Sequence, residues 1–125
     1  MRLQYSSKDF EGNSKYADFG FGLYEIEYGE PFKKWVFTQK WFGASISNVN
    51  KVNLRILSPI SNKIIINNTL KFDILPHVPI NIVLERLKTV SVLNCLCEND
   101  FNANGESRSL GVQLLMVSID DTEIF

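Results

Sequence analysis

"VNLRILSPISNKIIINNTLKFDIL", residues 52–75, decides the fold. Val52, Leu54 and Ile56 take one parity, and Asn53 and Arg55 take the other. Further on, Leu70, Phe72 and Ile74 alternate with Lys71 and Asp73. Apolar residues at every second position give an extended chain one buried and one wet face, whereas a helix needs spacings of three and four. Ser58-Pro59-Ile60-Ser61-Asn62 interrupts the first run, because proline and small polar residues favour turns. Asn67-Asn68 stands between "KIII" and "TLKFDIL", two residues that tolerate positive φ, which predicts a tight hairpin.

Outward from this segment the same pattern recurs. It predicts about nine short strands, near 24–28, 34–39, 42–48, 52–58, 63–67, 69–75, 79–85, 89–97 and 110–119. "NIVLERLKTV" contains good helix formers, but its β-rich flanks "INIVL" and "VSVLNCLC" favour a strand, a turn at Arg86 to Lys88, and a second strand. Pro76-His77-Val78-Pro79 reads as a stiff connector, and Asn102-Ala103-Asn104-Gly105 sits in the longest loop. Short strands at even spacing imply an all-β protein, expected here as a two-sheet, jelly-roll-like sandwich. Residues 1–20 are polar and read as an irregular lead-in, and 21–125 as a single domain.

Composition narrows the partners. The chain has 125 residues, 45% of them hydrophobic, enough for one sizeable core. Its 13 basic and 14 acidic residues form no basic block. A groove that follows phosphates needs surplus lysine and arginine, so nucleic acid and anionic membrane surfaces are not expected partners. The start, "MRLQYSSKDFEGNS", lacks the apolar run of a signal peptide, and no stretch approaches the roughly 20 apolar residues of a membrane helix. Cys95 and Cys97, two apart on a strand, point the same way and do not easily bridge. Two thiols fit a reducing cytoplasm, which is the expected location; the sequon Asn67-Asn68-Thr69 is then chance.

Catalytic signatures are missing. There is one histidine, His77, and neither a GxSxG elbow nor a P-loop occurs. Cys95 and Cys97 with His77 make a weak metal set, so no metal or other cofactor is expected. Glu25 and Glu27 are a tempting carboxylate pair, about 6–7 Å apart by strand rise, a separation that overlaps those of glycosidases. Glycosidase carboxylates flank the substrate from opposite sides, which near neighbours on one strand rarely can. The chain is therefore read as a non-enzyme.

Ten of the 15 aromatic residues lie between Tyr16 and Phe42. In "WVFTQKW" Trp35, Phe37, Gln39 and Trp41 share one parity, and Val36, Thr38, Lys40 and Phe42 the other. Phe37 and Phe42 are expected in the core. Tyr24, Ile26 and Tyr28 share a face that looks half-buried, with Glu25 and Glu27 opposite. Trp35 and Trp41 fit either a core or a ligand platform. Flat rings offer apolar area at low entropic cost, and a sugar presents apolar C–H faces rimmed by hydroxyls. Gln39, Glu25 and Glu27 could supply the polar contacts.

Gly22-Leu23-Tyr24-Glu25-Ile26-Glu27 and the tryptophan-centred "WVFTQKW" open a series of motifs. "NLRILSP", "KIIINN" and "INIVLE" follow, and "ESRSLGVQLLMVSI" closes it. This order resembles the β-sandwich accessory domains of bacterial polysaccharide-biosynthesis proteins, which are often attached to glycosyltransferases. Those domains end in D-x-R-x-L-G-V; here Arg108, Leu110, Gly111 and Val112 match, and Glu106 replaces the Asp. The resemblance implies a carbohydrate-binding or accessory role without catalysis, with an oligosaccharide as partner. It also implies that Arg108 pairs with Glu25 or Glu27, or meets a sugar beside Tyr24, Trp35 and Trp41. The alternative is a protein-interaction sandwich that docks on a glycosyltransferase or self-associates as a homo-oligomer.

Overall fold

The computed structural model describes residues 20–103 and 108–125. The lead-in before Gly20 and the loop residues 104–107, Glu106 among them, lie outside the described residues. Nine strands are present, β1(Phe21–Gly29), β2(Lys33–Ser45), β3(Val52–Leu57), β4(Asn62–Ile66), β5(Leu70–Ile74), β6(Ile80–Leu84), β7(Val92–Cys97), β8(Gln113–Ile119) and β9(Thr122–Glu123). All belong to one antiparallel sheet in the order β5-β4-β7-β2-β8-β3-β6, with β1 beside β2 and β9 beside β8. The sheet curls into a nearly barrel-shaped body. No helix among the described residues is long and apolar enough to cross a membrane.

The period-two pattern holds where it was clearest. Val52, Leu54 and Ile56 are buried, while Asn53 and Arg55 face outward. Asn67 and Asn68 both adopt positive φ, 51° and 61°, and turn β4 into β5. Arg86, at φ 59°, stands in the turn region after β6, so "NIVLERLKTV" holds a strand and no helix. Asp120 and Asp121, at φ 48° and 66°, form a two-residue turn that leads into β9, a strand too short to show a pattern in the sequence.

The expected break after residue 39 does not occur. No glycine, proline or asparagine interrupts "KKWVFTQKWF", and β2 continues to Ser45. The neighbour changes instead. Val36 and Phe37 pair with Leu114 and Gln113 of β8, whereas Trp41 to Ser45 pair with Leu96 to Val92 of β7. At this fork Gly111 packs where no side chain fits: a Cβ there would lie 2.4 Å from the Gln39 carbonyl oxygen and 2.9 Å from Thr38 Oγ1. The fully buried Thr38 ties the two sides together. Its N–H donates to Val112 O (2.9 Å), its carbonyl accepts from Gly111 N (2.8 Å), and its Oγ1 accepts from Val112 N (3.1 Å). Asn62 seals the other side, donating through Nδ2 to Asn99 O (3.0 Å) and Gly111 O (3.2 Å). Buried polar groups so paired avoid their desolvation cost.

Two expectations about side-chain direction are corrected. Phe42 is buried in the core, but Phe37 lies on the outer face, only partly covered. Parity decides here, because Phe37 shares a face with Trp35 while Val36 and Thr38 point inward. In β1 the expected grouping of Tyr24 with Ile26 and Tyr28 fails at a bulge. Leu23 pairs with Thr38 and Ile26 with Val36, so Tyr24 and Glu25 together oppose Phe37. The extra residue turns Tyr24 outward. Ile26 then packs on the core, and Glu27 stands opposite Trp35 on the outer face.

Candidate functional site

The outer face of β2 carries Trp35, Phe37, Gln39 and Trp41 in line, spaced by about 6–7 Å per two residues. It divides into two clusters. At the β1 end Arg108 lies across the rings, its guanidinium carbon 4.8 Å from the Tyr24 centroid and 5.9 Å from that of Phe37. Arg108 Nη2 is 3.9 Å from Glu27 Oε2, an ion pair with both side chains about a third exposed. Phe101 closes the cluster edge-on to Phe37, with centroids 6.2 Å apart. Trp35 lies beside it, directly across from Glu27. Its ring rests on Gly29, where a Cβ would sit 3.1 Å from Cη2. The Trp35 indole N–H is buried and has no hydrogen-bond partner among the described residues.

At the β7 end Trp41 is 54% exposed. The strand geometry beneath it explains why. Gly22, at φ 70°, lets β1 cross close to β2; a Cβ there would lie 2.2 Å from the Trp41 carbonyl oxygen. Phe21 follows on the same side and packs beside the indole, ring centroids 5.0 Å apart and tilted by 58°. Trp41 Nε1 donates to Asn94 Oδ1 at 3.3 Å. Asn94 is itself fixed by the β4–β5 turn, since its N–H donates to Asn67 Oδ1 (2.7 Å) and its carbonyl accepts from Asn67 N (2.8 Å). Leu96, directly opposite Trp41, is 44% exposed. The indole is thus open to solvent and held on two sides.

Of the residues singled out in the sequence, Tyr24, Glu27 and Arg108 come together, with Trp35 adjoining them. Gln39 sits partly buried between the clusters, and Trp41 belongs to the second. Glu25 is exposed at the bulge and does not join Glu27 at Arg108. Phe21, Phe101 and Asn94 were not foreseen as site residues. Asn94 had a signal, the outward parity it shares with Val92 and Leu96 in "VLNCLC"; Phe101 had none, since a bridge to Leu110 places it.

Among the described residues, the cysteines lie apart from this face. Cys95 and Cys97 face the core as free thiols. Burial pushes both up, Cys97 to about 12, so neither is a ready nucleophile. No three of the described His, Cys, Asp and Glu side chains converge on a metal position. No protein-family model, curated protein or solved structure matches the chain.

Proposed function

We propose that this protein is a non-catalytic carbohydrate-binding or accessory domain, serving the assembly of a bacterial surface polysaccharide. One observation carries the reading: Trp41 is more than half exposed yet held by Phe21 and by the hydrogen bond to Asn94. A solvated ring that is already oriented can stack on the C–H face of a sugar at little ordering cost. Further along, Phe37 of β2 and Tyr24 of β1 extend the apolar line, and Arg108 and Glu27 supply charge-assisted hydrogen bonds to hydroxyls at its edge. We read the partner-switching strand β2 as the shared strand of a two-layer, jelly-roll-like sandwich. The two core thiols fit a cytoplasmic setting.

Titration of tryptophan fluorescence with a panel of oligosaccharides tests the proposal. Saturable quenching at millimolar sugar, abolished in Trp41→Ala, is the expected result. The reading fails if no glycan in the panel perturbs the emission. A second reading, docking on a glycosyltransferase or self-association, draws on the exposed Leu96 directly across from Trp41. Under it, sedimentation would show a concentration-dependent dimer that Leu96→Asp disperses.

A further inference from the structure

A groove of about 500 Å³ opens on the outer face, away from Trp41 and two residues along β2 from Trp35. This volume falls within the range of small-molecule sites, roughly 300–1,000 Å³. Distant parts of the chain build it. The β1–β2 turn contributes Phe32, β2 Lys33, β3 Arg55, β6 Asn81, β8 Met116 and β9 Glu123. Arg55 stands directly opposite Asn81 on one side and Met116 on the other, so the three side chains lie abreast. The Asp120-Asp121 turn fixes β9 and with it Glu123: Asp120 Oδ1 accepts from the N–H groups of Asn50 (3.0 Å) and Lys51 (2.8 Å). Lys51 Nζ meets Asp121 Oδ1 at 2.7 Å.

Lys51 has an acidic partner, but among the described residues the groove cations have none. No ion pair joins Arg55, Lys33 or Glu123 to any described residue. Two cations and one carboxylate therefore line a groove together with a phenylalanine and a methionine. We propose that the groove binds a saccharide bearing a carboxylate, a uronic-acid type of sugar. This inference rests on the carbohydrate reading above and narrows it to acidic glycans.

The charge count selects the ligand. The guanidinium of Arg55 offers a planar fork that matches a carboxylate, and Lys33 adds a point charge beside it. Glu123 makes the lining only singly positive, so the second charge of a phosphate would meet a carboxylate. Glu123 and Asn81 instead suit hydroxyls, as acceptor and as donor-acceptor. Phe32 and Met116 provide the apolar contact for a ring's C–H face.

Calorimetric titration decides it, comparing an oligogalacturonate with the same oligosaccharide after its carboxyls are reduced to alcohols. The acidic form should bind about tenfold more tightly at low salt, as a charge-assisted contact allows. Arg55→Met, at an exposed position and with its fold checked by circular dichroism, should erase that preference and leave the neutral affinity unchanged. Equal affinities for the two sugars, an unaltered preference in Arg55→Met, or displacement of the oligogalacturonate by an equal concentration of inorganic phosphate would each overturn the groove assignment. In those cases, neutral-sugar binding that is lost in Trp41→Ala keeps the carbohydrate reading. Binding of neither sugar removes both.

Discussion

Trp35 and Trp41 occupy the same face of one strand, and their surroundings treat them in opposite ways. Beside Trp35, β1 still runs in register, so the ring folds onto Gly29 and its N–H is buried without a described partner. Beside Trp41, β1 has jumped register at Gly22, β7 has replaced β8 as the other neighbour, and the ring stands in solvent with its N–H paired. Residue type and parity are identical at the two positions. Exposure is set by which strands flank them, and the fork in β2 is what makes those strands different.

The most disruptive way to break the comparison is to damage the fork. Gly111→Ala forces a methyl group to within 2.4 Å of a backbone oxygen that cannot move aside. A destabilisation of about 3 kcal/mol is expected, the upper part of the range for overpacked sites, read as a lower urea midpoint at constant slope. An unchanged midpoint would show that the fork is looser than its geometry. Next in size is a crossing of effects between the two tryptophans. Trp35→Ala should cost about 2 kcal/mol of stability, less than a fully buried ring because Trp35 is only partly covered. Trp41→Ala should cost under about 1 kcal/mol of stability, as at other surface positions, yet lower glycan affinity about tenfold or more, as loss of an anchor ring does. If both variants lose stability equally, the distinction between the two ends collapses.

How much of this could be read from the chain follows from the range of the interactions concerned. The alternation in "VNLRIL" and the Asn67-Asn68 turn are local, so strand positions and the all-β class were legible. So was the shared face of Trp35, Phe37, Gln39 and Trp41, which the structure keeps on one side of β2. The bulge at Tyr24 and Glu25 was not, because an extra residue is defined only against the partner strand, and it reversed the expected direction of Tyr24. Nor was the continuity of β2 through Lys40, since a strand that trades β8 for β7 leaves no mark on its own sequence. Arg55 was read as outward-facing, but its groove depends on Lys33, Asn81 and Glu123, brought together by pairing across β3, β6, β8 and β9.

A third measurement tests the β7 end from its inner side. Cys95 and Cys97 lie on the reverse of the strand that carries Asn94. Burial holds both thiols neutral well above the ordinary value of 9.0, with Cys97 at about 12. The unfolded chain releases these protons near the ordinary value, and the folded chain does not. Stability should be insensitive to the thiols below pH 9 and fall as pH climbs from there toward 12. The native protein should also resist thiol reagents at pH 8 until it is unfolded. A Cys95→Ala/Cys97→Ala variant that showed the same alkaline loss would assign it to other groups.

The smallest effect concerns the β1 end, where Glu27 and Arg108 meet at 3.9 Å with side chains 31% and 30% exposed. That distance is too long for a strong hydrogen bond, and both side chains are about a third exposed although Glu27 Oε2 itself is buried, so the pair should contribute about 1 kcal/mol or less. Glu27→Gln should accordingly lower stability by no more than that, with the difference shrinking further as salt screens the charges. A loss nearer 3–5 kcal/mol would mark a desolvated pair whose breakage strands a buried charge. Arg108 would then be committed to holding β1 against the start of β8. A small, salt-sensitive loss has the opposite meaning. It leaves Arg108 able to exchange Glu27 for a ligand oxygen without unfolding the hairpin, while the rings of Tyr24 and Phe37 keep its guanidinium in place.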